Sequence, residues 1–283
     1  MALPTFVIIG AMKGGTTALF SYLEGHPEVF LPRAKEIHYF TAEHNWNRGQ
    51  EWYERHFEGA RGARAIGEAS PGYTAAPYSE GVPERMAAAI PDARLIYLLR
   101  HPIDRLCAQY RTEVHGNGVT APIAEEVLDE VRYVGKSRYA HQIETFLAHY
   151  PREQLLILES DDLRHRRDAT FERVLRFLDV DPTWRPKHLQ REVGTAGDLR
   201  EEGGRVRALR HLPGFAAVQR RVPARVRRSL WEAVTHPSPA GSLDTTLPPE
   251  VEAELRTRLA PDLVRLRTHL GADFHCWGLL DSD

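Results

Sequence analysis

Two cysteines, Cys107 and Cys276, are all that 283 residues contain. That excludes a disulfide framework and fits a reducing compartment. No apolar run approaches the length that crosses a bilayer. No basic segment precedes the short apolar run at the N-terminus, so Phe6–Ile9 reads as a strand and not a signal peptide. Net charge is only −2, which leaves no global argument for nucleic acid or a membrane surface as partner. No histidine or cysteine cluster has metal-ligand spacing, so no metal is expected. There is no G-x-S-x-G element, no nucleophile triad, no internal repeat and no long low-complexity tract. We expect a soluble, cytoplasmic chain; its oligomeric state is not readable.

What is present supports a core. Apolar residues make up 42% of the chain, and charged residues, at 27%, are ordinary for a soluble protein. The length fits one large α/β domain. Short apolar runs at Phe6–Ile9, Ala65–Gly67, Leu95–Leu99 and Leu155–Leu158 read as buried strands. Helical spacing marks Thr16–Glu24, Pro83–Ile90, Ser137–Tyr150 and Asp168–Leu178. Strands alternating with helices predict a parallel sheet covered on both sides, with ligands beyond the carboxyl ends of its strands. The tail differs. Gly203–Trp231 carries eight arginines and no acid. A turn-rich linker follows, and Val251–Leu270 is a closing helix. We therefore expect a single domain over 1–283, with a nucleotide-binding core in 1–180 and a basic segment plus closing helix in 181–283. The fold class is α/β, a P-loop-like parallel sheet flanked by helices with a mainly helical C-terminal segment.

The first strand runs into Gly10-Ala11-Met12-Lys13-Gly14-Gly15-Thr16-Thr17. Amides at a helix N-terminus bind anions, helped by the helix dipole. Glycines let the main chain come close to a phosphate. Lys13 adds a mobile cation, and Thr16 and Thr17 add hydroxyls that can cap the helix. The nucleoside-triphosphate loop needs G-x-x-x-x-G-K-[ST]. Here lysine precedes the glycine pair and the threonines follow glycine, so the usual Mg²⁺-holding hydroxyl is out of place.

On these residues GAMKGGTTAL resembles the 5′-phosphosulfate loop of sulfotransferases that use 3′-phosphoadenosine 5′-phosphosulfate (PAPS). It is most similar to the branch of heparan sulfate sulfotransferases and their bacterial relatives. The specific motifs cover mainly residues 7–40, 67–73 and 96–110. The resemblance implies that Lys13, Gly14, Gly15, Thr16 and Thr17 hold the 5′-phosphosulfate. In LIYLLRHPIDRLCAQY it assigns Arg100 to the 3′-phosphate, with Pro102 and Arg105 on pattern. Ala108 stands where the family usually has serine, which removes a hydroxyl donor; the expectation is weaker 3′-phosphate binding, or compensation from Gln109, Ser137 or an arginine. Tyr139 matches a tyrosine near the nucleotide and is also an apolar-face residue, so packing and nucleotide contact both remain open. Within the basic segment, Arg205 and Arg207 are the expected cofactor contacts; a solvated or substrate-attracting face is the other reading.

The same resemblance carries the chemistry. RAIGEASPGYT matches the E-x-[ST]-P-x-Y segment, which makes Glu68 the base, places Ser70 with it and puts Tyr73 among the acceptor-binding residues. Ala69 replaces a lysine found in some relatives. RAKEIHYF matches K-E-x-H-[FY]-F, so Lys35, Glu36 and His38 line the acceptor side. His38 is the rival base, since histidine titrates near neutrality; we assign it to orienting the acceptor or Glu68. Lys13 would stabilise the sulfonate and the leaving phosphate, with Lys35 assisting. Trp52, Tyr53 and Phe57 read as packing residues, and Trp46 as a possible ligand neighbour. The expected reaction is direct in-line transfer of a sulfuryl group from PAPS to a hydroxyl or amine, leaving PAP. The acceptor would be a sugar or small natural product bound through loops Tyr73–Glu84 and Val114–Arg138. The expectation of a soluble chain without an anchor points away from an animal glycosaminoglycan enzyme and toward a bacterial tailoring or metabolic role. A P-loop kinase or NTPase, and a nucleotide-binding protein without catalysis, are the alternatives.

Overall fold

Phe6–Gly10 (β1) is buried along its whole length, as a strand covered on both faces must be. It lies at the centre of a five-stranded sheet in the computed structural model, which describes residues 2–190, 200–202, 235–237 and 243–280. The other strands are Val29–Phe30 (β2), Ala65–Ala69 (β3), Arg94–Leu99 (β4) and Leu155–Glu159 (β5). Their order is β2-β3-β1-β4-β5, and every pairing is parallel. The expected strands are thus present, some a residue or two longer. β2 adds an edge that sequence did not mark.

Helices close both faces. Thr16–Leu23 (α1) buries Leu19, Tyr22 and Leu23, one stripe of a helix. Arg167–Phe177 (α8) sets Phe171, Val174 and Leu175 against the same core, with Phe6, Ile8, Ile96 and Leu98 from the sheet. Each such side chain stabilises the fold by about 1.5–3 kcal/mol. Between α1 and α8 come Gln50–Glu54 (α2), Val82–Ala89 (α3), Pro102–Asn117 (α4), Ile123–Glu126 (α5), Tyr139–Leu147 (α6) and Ser160–His165 (α7). The closing helix is Pro249–Leu270 (α9), which buries Leu255, Leu259, Leu263 and Leu266. Its buried Asp262 accepts from the amides of Ala140 and His141 at 2.9 and 3.0 Å. A carboxylate from α9 therefore caps α6.

Two compact units result. One comprises Met1–Tyr110, Thr120–Val193 and Thr245–Asp283 and holds the sheet; the closing helix belongs to it. The other comprises Arg111–Val119 and Gly194–Asp244, where Arg200–Glu202 (β6) pairs antiparallel with Thr235–Pro237 (β7).

Candidate active site

β1 has β3 on one side and β4 on the other, so the connections leaving their carboxyl ends meet at the point where strand order reverses. That is where ligands bind in open parallel sheets. Three expected motifs lie at these ends: the glycine loop after β1, Glu68 in β3 and Arg100 after β4.

The loop is held by backbone. The Ala11 amide donates to the Leu98 carbonyl at 2.8 Å, and the Gly14 amide to the Ala11 carbonyl at 2.9 Å. A Cβ on Gly14 would stand 2.5 Å from the Leu98 carbonyl oxygen, so only glycine fits. Gly15, at φ 96°, is the N-cap of α1 and has no side chain to spend on the helix amides. This corrects the expectation that Thr16 or Thr17 caps α1: both lie inside its first turn. Their positions leave α1 without a side-chain cap, as an anion cradle requires. Thr16 is buried and Thr17 exposed, while Lys13 is half-buried at φ 68°. Amides, hydroxyls and a cation form this donor set, which fits a phosphate or phosphosulfate.

Arg100 is half-buried and donates to the Lys13 carbonyl at 3.3 Å, linking the two anion elements. Tyr139 lies beneath it, wholly buried, and donates its hydroxyl to the Arg100 carbonyl at 2.8 Å. Burial pushes the Tyr139 hydroxyl up to about 12. Tyr139 thus acts in the fold as a packing residue that fixes the strand end. Gln109 and Ser137, the expected substitutes for the hydroxyl missing at Ala108, are buried beside Arg105. Both accept from Arg105, at 2.9 and 2.6 Å. Arg205 and Arg207 lie outside the described residues.

Glu68 is fully buried, at 0% exposure. The sheet register sets it level with Val7, before β1 reaches the loop. Its Oε1 accepts from the hydroxyls of Tyr53 (2.8 Å) and Tyr73 (3.0 Å), and its Oε2 from Ser70 (2.7 Å). Burial raises its pKa, and the three hydroxyls oppose the rise without cancelling it. The result is a carboxylate more basic than usual.

Segment 36–40 is strung along the end of β3. The Glu36 amide donates to the Ala69 carbonyl at 2.9 Å, the His38 amide to Ser70 Oγ at 3.1 Å, and the Phe40 amide to the Tyr73 hydroxyl at 3.4 Å. Two motifs read separately in sequence are therefore one site. Glu36 and His38 both hold positive φ, at 64° and 49°, which is uncommon away from glycine and clusters at functional sites. Glu36 is held down to about 2 by His38 first and then by Lys35, although Lys35 Nζ is nearer, at 2.5 Å against 3.9 Å. The His38 ring stacks on His44 and is half-buried, and its Nδ1 has no hydrogen-bond partner among the described residues.

Tyr53 is the residue sequence reasoning undervalued. It packs, stacked 4.4 Å from Tyr39, and also serves the carboxylate. The available signal was general: a buried tyrosine needs a partner for its hydroxyl. Trp46 is 38% exposed beside Tyr39. The two expected acceptor loops do meet: Gln142 bonds Ala76 and Gly135, and Lys136 lies over the Tyr78 ring at 5.1 Å. Among the described residues no helix is long and apolar enough to cross a membrane.

A sulfotransferase-domain family model matches residues 3–196. The chain is 38% identical over 117 residues to the membrane-associated sulfotransferase kil1 of Dictyostelium discoideum, covering 40% of this chain and 24% of that protein. It is 29% identical over 192 residues to human heparan sulfate glucosamine 3-O-sulfotransferase 5, covering 64% of this chain and 54% of that protein. The chain thus spans about half or less of these curated relatives. The crystal structure of a sulfotransferase from Alicyclobacillus acidocaldarius shares the fold, with a TM-score of 0.72 and 25% identity, covering 98% of this chain and 100% of that one.

Proposed function

We propose that this chain, which belongs to the sulfotransferase family, moves a sulfuryl group from PAPS to a hydroxyl or amine of a sugar or small natural product. The observation that carries the reading is the convergence, at three adjacent strand ends, of an uncapped glycine cradle, a half-buried arginine and a buried carboxylate of raised pKa. The sugar acceptor is supported by the relative whose name specifies heparan sulfate glucosamine. A cytoplasmic location and a role in natural-product tailoring belong to the same proposal.

PAPS supplies the activated sulfuryl group; the chain's residues bind, orient and move a proton. Gly14, Gly15, Thr16 and Thr17 present amides and hydroxyls to the 5′ end, and Lys13 neutralises charge growing on the leaving oxygen. Arg100 takes the 3′-phosphate with its planar fork. Tyr139 fixes the Arg100 backbone. Glu68 takes the acceptor's proton, and Tyr53, Ser70 and Tyr73 hold its carboxylate in one orientation. His38, half-buried where those others are buried, is assigned to orienting the acceptor or Glu68. Lys35 and Glu36 fix the segment that carries His38. Arg205 and Arg207 are further candidates for the nucleotide. No side chain serves as a nucleophile; transfer is direct.

Calorimetric titration tests this. Wild type should bind PAP at micromolar concentration or tighter, without Mg²⁺, and Arg100→Ala should lose at least about tenfold, the worth of one charge-assisted fork. Binding of ATP with Mg²⁺ in preference to PAP, or PAP binding indifferent to Arg100, would replace this reading with a kinase or NTPase.

A further inference from the structure

Residues 73–76 form a strap between the base and the anion loop. Tyr73 donates its hydroxyl to Glu68 Oε1 at 3.0 Å. The next residue, Thr74, donates Oγ1 to the Ile9 carbonyl at 3.1 Å, immediately before the glycine loop. A Cβ on Gly10 would run into Thr74 Oγ1, so the strap lies directly on the end of β1. Tyr73, Thr74 and Ala75 are all buried. Two adjacent residues thus hold the base and the start of the phosphate cradle. The placing of one against the other is set by this strap.

The strap is anchored from α6 by Gln142, which is 1% exposed. Its Oε1 accepts from the Ala76 amide at 3.1 Å. Its Nε2 donates to the Gly135 carbonyl at 3.1 Å and to the Ala76 carbonyl at 3.4 Å. All three partners are main chain, and buried main-chain groups must be paired. A Cβ on Gly135 would stand 3.3 Å from the Ala76 carbonyl oxygen, so glycine there lets the two segments close onto Gln142. Tyr139 lies three residues earlier, on the same face of α6, and holds the Arg100 carbonyl at 2.8 Å. One turn of helix therefore supports the strap and the end of β4 together.

We propose that Gln142 is a positioning residue for transfer: by fixing Ala76 it keeps Glu68, held through Tyr73, in register with the phosphate loop, held through Thr74. The inference rests on the sulfuryl-transfer reading above. In-line transfer needs reacting atoms about 3–3.5 Å apart, and a misplacement of about 1 Å costs about a hundredfold in rate. A loosened strap moves the base against the loop without removing any group that binds the nucleotide.

A tie that serves only the fold is the competitor. Gln142→Met keeps length and bulk and removes all three bonds. Gln142→Glu keeps an acceptor for Ala76 and, at about pH 5.5 where burial holds its proton, a donor for Gly135. Single-turnover formation of PAP from PAPS is measured at about pH 5.5 with heparan sulfate as the acceptor probe, beside calorimetric PAP titration and circular dichroism. The methionine variant should be folded, bind PAP within about threefold of wild type and transfer at least about tenfold more slowly. The glutamate variant should transfer within about threefold of wild type. Unchanged transfer in the methionine variant, a loss of PAP affinity as large as the loss of rate, or no rescue by glutamate overturns the proposal. If the methionine variant does not fold, or wild type leaves heparan sulfate unsulfated, amide exchange in wild type decides. PAP should slow exchange at Ala76, because the loop it orders is tied to the strap; exchange at Ala76 indifferent to PAP overturns the proposal. Wild type that binds no PAP would instead remove the nucleotide reading itself.

Discussion

Replacing Glu68 by glutamine separates chemistry from binding and from folding in one variant. A positioned base contributes about 10²–10⁴-fold in rate, so kcat should fall at least about a hundredfold, or about 2.7 kcal/mol of barrier. Glu68 lies on β3 and the phosphate loop follows β1, so PAP affinity should stay within about twofold of wild type. Folding is affected in a calculable way. Glutamine retains one carbonyl oxygen for Tyr53 and Tyr73 but offers Ser70 an amide nitrogen that cannot accept. Ser70 must turn, at a cost of about 1 kcal/mol. The pH dependence has a definite sign. Burial raises the folded pKa of Glu68 above its ordinary 4.5. A raised group adds stability that is fully present below 4.5 and is lost as pH rises through the folded value. The glutamine variant has no such loss, so wild type should weaken relative to it from pH 4.5 upward until Glu68 is ionised. Single-turnover transfer with PAPS, PAP titration and urea unfolding across pH read all three. An unchanged transfer rate would remove Glu68 as the base. A stability gap moving the other way would mean that the hydroxyls outweigh burial.

Tyr53→Phe removes a donor to the Glu68 carboxylate, so its pKa should rise further and the acidic limb of the kcat/KM profile should move to higher pH; a limb that stays put would separate Glu68 from that titration. Gly14→Ala forces a Cβ to within 2.5 Å of the Leu98 carbonyl, so PAP affinity should drop at least about tenfold while circular dichroism shows a folded chain; unaltered binding would refute the cradle. Asp262→Ala leaves two amides at the start of α6 without their acceptor, while Arg265 keeps Glu144, and should cost about 2–3 kcal/mol in urea unfolding; a loss under about 0.5 kcal/mol would show that water replaces the cap.

The sheet was legible because its strands are short apolar runs bounded by turn residues, and the central ones are buried on both faces. β2 was not, because a two-residue edge strand carries no period. α4 went unmarked although Ile103, Leu106 and Tyr110 form its buried stripe, because Arg105 and Gln109 are buried with them and interrupt the apolar period. In the site, the glycine loop, Glu68 and Arg100 were readable as residue types at fixed spacing. The joining of segment 36–40 to segment 69–73 was not, because main-chain bonds between segments leave no residue signature. Nor was the burial of Arg105 visible. Sequence names an arginine; only packing shows what surrounds it.

On the proposed reading, the strand order also lets one site use both cations and a base. A carboxylate beside Lys13 or Arg100 would pair with them, and the pairing would depress its pKa and leave a poor base. β1 keeps them apart: the anion-binding groups follow β1 and β4, while Glu68 lies on β3 at the level of Val7, short of the loop. The leading influences on Glu68 are accordingly burial, three hydroxyls and His38, with no lysine or arginine among them. Burial at the floor of the sheet raises basicity, and the hydroxyls keep the carboxylate oriented. Arg100, bonded to the Lys13 carbonyl and to no carboxylate among the described residues, remains available to an anion. Moving an acid into reach of Arg100 should therefore damage nucleotide binding, and moving a cation into reach of Glu68 should damage proton transfer. The reversal of strand order at β1 prevents both.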